Sequence, residues 1–150
     1  MNYSYSLKDK QTPSLNYLEV LVKLLILCGL ICFSLSLYNV ALFTSGDDLY
    51  GYWILLIGWL GLLFFQLSWL ANPLNLLALL LLSKKPVVSF ILTLIAFLVA
   101  SQTFMFSEIP TGLSQEKIYI QEFGLGFYLW YLANTLFLLA IAIEVFRKKA

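Results

Sequence analysis

The stretch LLIGWLGLLFFQLSWLANPLNLLALLLL occupies residues 55–82 and contains no charged side chain. A helix needs about 20 mainly apolar residues to cross a hydrocarbon core of about 30 Å, so this run is longer than one crossing requires. It also carries groups that hydrocarbon tolerates badly, namely Ser68, Asn72 and Asn75, with Pro73 between the two asparagines. How the chain accommodates them decides how it folds.

The rest of the sequence fixes the solvent. Hydrophobic residues make up 61% of the 150-residue chain and charged residues 11%, and the mean hydropathy is +0.89. A soluble domain carries roughly a quarter charged residues. The chain reads as an all-α integral membrane protein whose apolar runs cover residues 21–43, 51–82, 87–106 and 123–146. The expectation is one transmembrane domain, a four-transmembrane-helix bundle with external loops at 44–50 and 107–122 and a kink at Pro73. The polar amino-terminal segment lacks a convincing small-x-small cleavage site ahead of residue 50, so the first run is expected to be a retained anchor.

Charge sets the expected orientation. Lys8, Lys10, Lys23, Lys84, Lys85, Arg147, Lys148 and Lys149 fall on one side of a four-pass chain, and of the nine basic residues Lys117 alone lies opposite. That asymmetry predicts cytoplasmic termini and a cytoplasmic SKKP turn, with Asp47, Asp48, Glu108, Glu116 and Glu122 outside. The expected location is a bacterial inner membrane, with multiple passes. The basic groups suit lipid headgroups rather than nucleic acid, since no basic domain exists to bind it.

The composition argues against most chemistry. There is no histidine, which removes the commonest general base and metal ligand. Cys28 and Cys32 are four apart within the first run rather than in a Cys-x-x-Cys pair, and read as small packing residues. No cofactor or metal site is expected, and the chain is not expected to be an enzyme.

What the runs do carry is a set of stripes at helical spacing. Gly29, Cys32, Ser36 and Asn39 form one in the first run, and Ser89, Thr93, Ala96, Ala100 and Thr103 another in the third. The second run offers Gly58, Gly61, Phe65, Ser68, Asn72 and Asn75; the fourth offers Gly124, Tyr128, Tyr131 and Thr135, with Asn134 beside them. Helices associate in lipid through small residues and interhelical hydrogen bonds, so these faces are expected to pack and the Leu-rich faces to meet lipid.

Asn72 lies 84 − 72 = 12 positions before Lys84 and Asn134 lies 147 − 134 = 13 before Arg147. At 1.5 Å per residue both fall roughly 18 to 20 Å above the basic end, near the midplane. The segments LANPLNLLA from Leu70 and LANTLFLLA from Leu132 match at seven of nine positions, as a duplicated helical hairpin with parallel repeats would give. Counting back from Lys84 leaves YGYWILLIGW, with Tyr50, Tyr52, Trp53 and Trp59, at the outer interface or projecting from it.

Asn39, Ser68, Asn72, Pro73, Asn75 and Asn134 therefore form the expected midplane polar cluster, either as packing contacts or as a functional site. A proton-driven exporter is disfavoured because Glu19 and Glu144 lie near the basic boundary, with Glu144 four residues from Lys148. Glu108, Glu116, Lys117 and Glu122 are the expected external contact residues, in a segment where Pro110 and Gly112 suit a turn.

The G-W-x-G run at Gly58–Gly61, the W-x-A-N-P box at Trp69–Pro73 and the G-x-G-x-Y-L-W run at Gly124–Trp130 resemble features of small uncharacterised four-helix bacterial inner-membrane proteins, a resemblance that implies no activity. In size and helix count the chain is also similar to inner-membrane immunity proteins of pore-forming bacteriocins. The functional expectation is a non-enzymatic accessory or interaction protein of a larger assembly, with a membrane-protein partner or a second copy of itself. The alternatives are a small-molecule or lipid carrier or channel working as an oligomer, then an immunity-type protein against a membrane-active toxin, with a membrane enzyme behind them.

Overall fold

The computed structural model describes residues 13–109 and 118–149, with side chains described from Tyr17 to Lys148. The chain is mostly helical, and three of its helices, Tyr17–Tyr38, Pro86–Met105 and Leu125–Lys148, are long and apolar enough to cross a membrane. The elements are α1 (Pro13–Tyr38), β1 (Val40–Thr44), β2 (Leu49–Tyr50), α2 (Gly51–Ile57), α3 (Ala71–Leu81), α4 (Pro86–Ser101), β3 (Glu108–Ile109), β4 (Ile118–Phe123) and α5 (Leu125–Lys149).

α5 is the central helix. It packs against α1 along its length and against α4, and α4 carries α3 on its other side. Among the described side chains of α1 the buried positions are Val22, Gly29 and Ser36, a seven-residue spacing that keeps one face toward a neighbour over about four turns. Gly29 makes room for the Phe137 ring, whose Cε1 would lie 2.6 Å from an added Cβ. On α4 and the 3₁₀ turn that follows it, Gln102–Met105, the whole expected stripe of Ser89, Thr93, Ala96, Ala100 and Thr103 is buried. One stripe and the cysteine pair depart from expectation. On α5 Tyr128 is exposed and the buried face runs instead through Phe127, Ala133, Asn134, Phe137, Ala140 and Ile141, because a helix between two neighbours must bury two faces. Cys28 is exposed and Cys32 half-buried, so only Cys32 belongs to the packed side.

The run at 51–82 is not one helix. α2 tightens into a 3₁₀ segment, Gly58–Phe64, the chain reverses at Phe65, and a second 3₁₀ segment, Leu67–Leu70, leads into α3. Phe65 sits in the left-handed region with φ 58°, a conformation costing a side-chain-bearing residue about 1 kcal/mol or more. Gly58 and Gly61 do mediate close packing, but against Trp69 and Gln66 of their own run. The expected stripe therefore breaks at Phe65, which is 82% exposed. Pro73 causes no kink. It is the third residue of α3, within the first turn, where a backbone donor has no intrahelical acceptor to lose. The break lies eight residues earlier, at Phe65 (73 − 65 = 8).

Gln102 supplies what the broken helix lost. Its side-chain Nε2 donates to the Phe65 carbonyl at 3.0 Å and its Oε1 accepts from the Leu67 amide at 2.8 Å. One amide thus stands in for a missing turn of backbone bonds. Gln102→Leu will strand both groups and lower thermal stability by about 1–2 kcal/mol; thermal unfolding in detergent that shows no loss would mean the reversal holds itself together.

Among the described residues, both connections expected as external loops contain strands. β1 pairs with β2 and β4, and β4 pairs with β3, in an antiparallel sheet of order β2-β1-β4-β3. Residues 39–43, expected as the end of the first helix, leave it because the Asn39 side chain caps the helix by donating to the Leu35 carbonyl at 2.8 Å. The VALFT segment that follows is rich in strand-favouring residues. A hairpin turn at 45–48 is tied by Thr44, whose hydroxyl donates to the Asp47 carbonyl and accepts from the Gly46 amide. Register shifts in β1 on both sides give the sheet its curl.

The sheet does not follow the duplicated hairpin. Exchanging the repeats would carry β1 to β3 and β4 to β2, so the central β1–β4 pairing would imply a β3–β2 pairing. Those are the two edges of the sheet.

At the end of the bundle away from the sheet, charges tie three segments together. Arg147 donates twice to Glu144, at 2.9 Å through each nitrogen, and reaches Glu19 of α1 at 3.3 Å. The Lys148 ammonium pairs with Glu144 at 3.4 Å and donates to the Leu82 and Ser83 carbonyls at the end of α3. The start of α1, the end of α3 and the end of α5 therefore meet at one end, while β1 to β4 close the other.

Candidate binding cavity beneath the sheet

α2 and its 3₁₀ extension run across the sheet end of the bundle, from α1, where Gly51 lies against Ser36, to the end of α4, where Phe65 and Leu67 meet Gln102. A cavity of about 240 Å³ lies in the space this arrangement leaves. α1 contributes Phe33 and Ser36, the sheet Ala41 and Ile120, and α5 Phe127 and Trp130. A second space of about 340 Å³ lies between α1, α3 and α5, walled by Leu30, Leu76, Leu79 and Phe137. Phe33, Leu55, Trp69 and Asn72 line both. Trp69 is fixed between them, because its indole N–H donates to the Leu55 carbonyl at 2.9 Å.

The cluster expected at the midplane splits into parts. Asn75 Nδ2 donates to Asn134 Oδ1 at 2.6 Å, and Asn134 Nδ2 donates to the Trp130 carbonyl at 2.8 Å. Asn72 is not the partner of Asn134: its Oδ1 accepts from the Trp130 indole at 2.8 Å. One turn further along α3, residue 75 reaches across to α5, and Trp130 joins both amides through its two ends. Pro73 lines the lower space. Asn39 stands apart, at the α1–β1 junction, where its carbonyl accepts from the Gly51 amide at 3.1 Å.

Among the described residues, three buried hydrogen-bonding atoms of side chains that line these spaces have no partner. Ser68 Oγ and Thr103 Oγ1 belong to residues lining the upper cavity, and Asn75 Oδ1 to one lining the lower. A buried polar atom left without a partner costs about 1–3 kcal/mol. Thr103 is 8% exposed. Its place in the α4 stripe marked it as a packing residue, and nothing in the sequence shows that α2 would fold over it.

Of the expected external contact residues, Glu108 is exposed on β3 and Glu122 is exposed on β4. Glu116 and Lys117 lie outside the described residues, as do Pro110 and Gly112. Tyr119, which sequence reasoning passed over, stands 50% exposed on β4 opposite Glu108, and Phe43 stands 37% exposed on β1 opposite Glu122. Strand alternation would have pointed to both had residues 39–44 and 118–123 been read as strands.

Comparison with family models, with curated proteins and with solved structures gives no match.

Proposed function

We propose that the chain is a four-span bacterial inner-membrane protein with both termini and the SKKP turn in the cytoplasm, and that it acts by binding, as a non-enzymatic accessory component of a larger membrane assembly. Lys84, Lys85, Arg147 and Lys148 at one end and Asp47, Asp48, Glu108 and Glu122 at the other support this orientation. The fourth crossing is made by the 3₁₀ segment Leu67–Leu70 with α3, while α2 and its 3₁₀ extension lie at the outer interface, where the exposed Tyr52, Trp53 and Trp59 meet headgroups.

The observation that carries the reading is the sheet. Both external connections contribute strands to one sheet, and its exposed positions hold Phe43 and Tyr119 beside Glu108 and Glu122. Exposed aromatic residues with a polar rim are the composition of a protein contact. The partner that fits is the external part of another membrane protein with basic residues facing this sheet.

A cysteine scan tests both parts. In a chain with Cys28→Ala and Cys32→Ala, Tyr119→Cys will react with a membrane-impermeant maleimide in spheroplasts and will form a zero-length disulfide or short crosslink to a partner in native membranes. Labelling only after permeabilisation would overturn the orientation, and an absence of any crosslinked species would overturn the partner role.

A second reading is favoured by the two neighbouring spaces, which share the walls made by Phe33, Leu55, Trp69 and Asn72. A carrier of small apolar molecules needs a path that reaches the lipid-facing side, and the lower space lies between α1 and α3.

A further inference from the structure

We infer that the cavity beneath the sheet is a binding site for a compact, uncharged molecule of two fused rings that carries a carbonyl oxygen. The oxygen accepts from Asn72 Nδ2, and the rings lie among Phe33, Trp69, Phe127 and Trp130. A ligand held here suits an accessory protein and a carrier alike, so binding at this site stands or falls independently of both readings above.

Among the described residues of the wall, one side-chain donor group is both without an acceptor and open to a ligand. The Trp69 indole donates to the Leu55 carbonyl, the Ser36 hydroxyl to the Phe33 carbonyl and the Gln66 amide to the Glu108 carbonyl. The Ser68 and Thr103 hydroxyls are sealed by their surroundings and reach nothing in the cavity. Asn72 differs. An indole nitrogen can only donate, so the atom 2.8 Å from Trp130 Nε1 is the Asn72 oxygen, and the amide nitrogen turns away from the indole. Nδ2 has no acceptor among the described residues, yet it is not buried, and Asn72 lines the cavity. A single accessible N–H group in an otherwise apolar wall selects a ligand with an acceptor oxygen.

Charge of either sign is disfavoured. Among the described residues no lysine or arginine lines the cavity, and Glu108, the one carboxylate that does, is exposed at the sheet edge. A ligand carboxylate would give up its hydration for no counter-charge. An ammonium ion drawn to Glu108 would sit at that exposed edge rather than among the rings.

Volume and wall set the frame of the ligand. An apolar protein cavity of about 150 Å³ takes up one benzene ring. The 240 Å³ here is about 1.6 times that, which scales six ring atoms to about ten, the size of two fused rings. Phe33, Trp69, Phe127 and Trp130 offer aromatic surfaces to a planar molecule. Both indoles are already held, Trp69 by Leu55 and Trp130 by Asn72, so little side-chain freedom is lost when a ring enters.

The test uses the full chain purified in a neutral detergent and follows the fluorine resonances of three probes. These are 6-fluoro-1-tetralone, 6-fluorotetralin, which lacks the oxygen, and 6-fluoro-1-naphthoate, which carries a charge. The ketone will bind saturably at one site per chain, and the naphthoate about tenfold more weakly or worse. The double variant Asn72→Leu with Trp130→Phe removes the amide and the indole N–H together. In it the ratio of the ketone's dissociation constant to the hydrocarbon's will rise about fivefold, the worth of one hydrogen bond. Partitioning into detergent is the same for both proteins and cancels in that comparison. Ile54→Trp fills the upper cavity from α2 and will abolish ketone binding, whereas Leu79→Trp, in the lower space, will leave it intact. The ratio decides alone if Ile54→Trp does not fold. An unchanged ratio, uptake that never saturates, naphthoate binding as tight as the ketone's, or binding that survives Ile54→Trp or is lost in a folded Leu79→Trp would each overturn the inference.

Discussion

Gly124→Ala will cost the protein about 3 kcal/mol or more and leave most of it aggregated after detergent extraction, although the change adds one methyl group. Gly124 ends β4 and precedes α5, and its amide donates to the Ala41 carbonyl at 2.9 Å. A Cβ there would run into the Val40 carbonyl oxygen and lie 2.9 Å from the carbonyl carbon. The obstacle is backbone, which cannot swing aside as a side chain would. β1 and the start of α5 would have to separate, and with them the β1–β4 pairing that forms the centre of the sheet. Overpacking typically costs 1–3 kcal/mol when side chains can adjust, so a backbone clash at a strand crossing belongs at or beyond the top of that range. Gly51 is in the same position against the Ser36 carbonyl oxygen, where α1 meets α2. The control is Gly46→Ala, since a Cβ there meets its nearest neighbour at 3.8 Å, an ordinary contact. Fluorescence-detected size exclusion after a heat step separates the three variants. If Gly124→Ala survives as well as Gly46→Ala, α5 and β1 do not approach each other as closely as described here.

These glycines also show where the sequence could be read and where it could not. The α4 stripe was legible because Ser89, Thr93, Ala96 and Ala100 belong to a helix with one principal packed face, so small residues and burial share one period. α5 was legible as a helix but not in its orientation. It serves α1 and α4 at once, and two overlapping faces erase the single stripe that periodicity seeks. The run at 51–82 failed for a different reason. Its hydropathy is uniform, and the feature that breaks it is Gln102, 35 residues beyond Leu67, whose side-chain amide replaces the lost backbone bonds. Proline drew attention as the breaker, yet at the start of α3 it is harmless. The strands failed for opposite reasons: VALFT borders an apolar helix and extends its hydropathy without interruption, so a window tuned to membrane helices absorbs it, while Gln121 and Glu122 interrupt IYIQEF and make it read as loop. The polar cluster was half legible: depth counting brought Asn72 and Asn134 to one level, but which amide of α3 faces α5 depends on helix rotation, which hydropathy does not encode.

That rotation makes a double-mutant cycle informative. Asn134→Leu will lower stability in detergent by about 1–2 kcal/mol, because it leaves Asn75 Nδ2 without an acceptor in an apolar groove where Asn75 Oδ1 already lacks a donor. Asn75→Leu will cost less, since Asn134 keeps its bond to the Trp130 carbonyl. The double variant Asn75→Leu with Asn134→Leu will be no worse than Asn134→Leu alone, because removing both members of a buried pair leaves nothing stranded. The coupling is therefore expected to be large and of the sign that makes the second change nearly free. Asn72→Leu behaves differently. It deprives the Trp130 indole of its acceptor, and that loss will add to the loss from Asn134→Leu, because the two asparagines bind opposite ends of Trp130 and do not touch. Thermal unfolding of the six proteins, wild type included, decides the matter. Additivity for residues 75 and 134 together with strong coupling for 72 and 134 would require α3 to be rotated by one position in its groove.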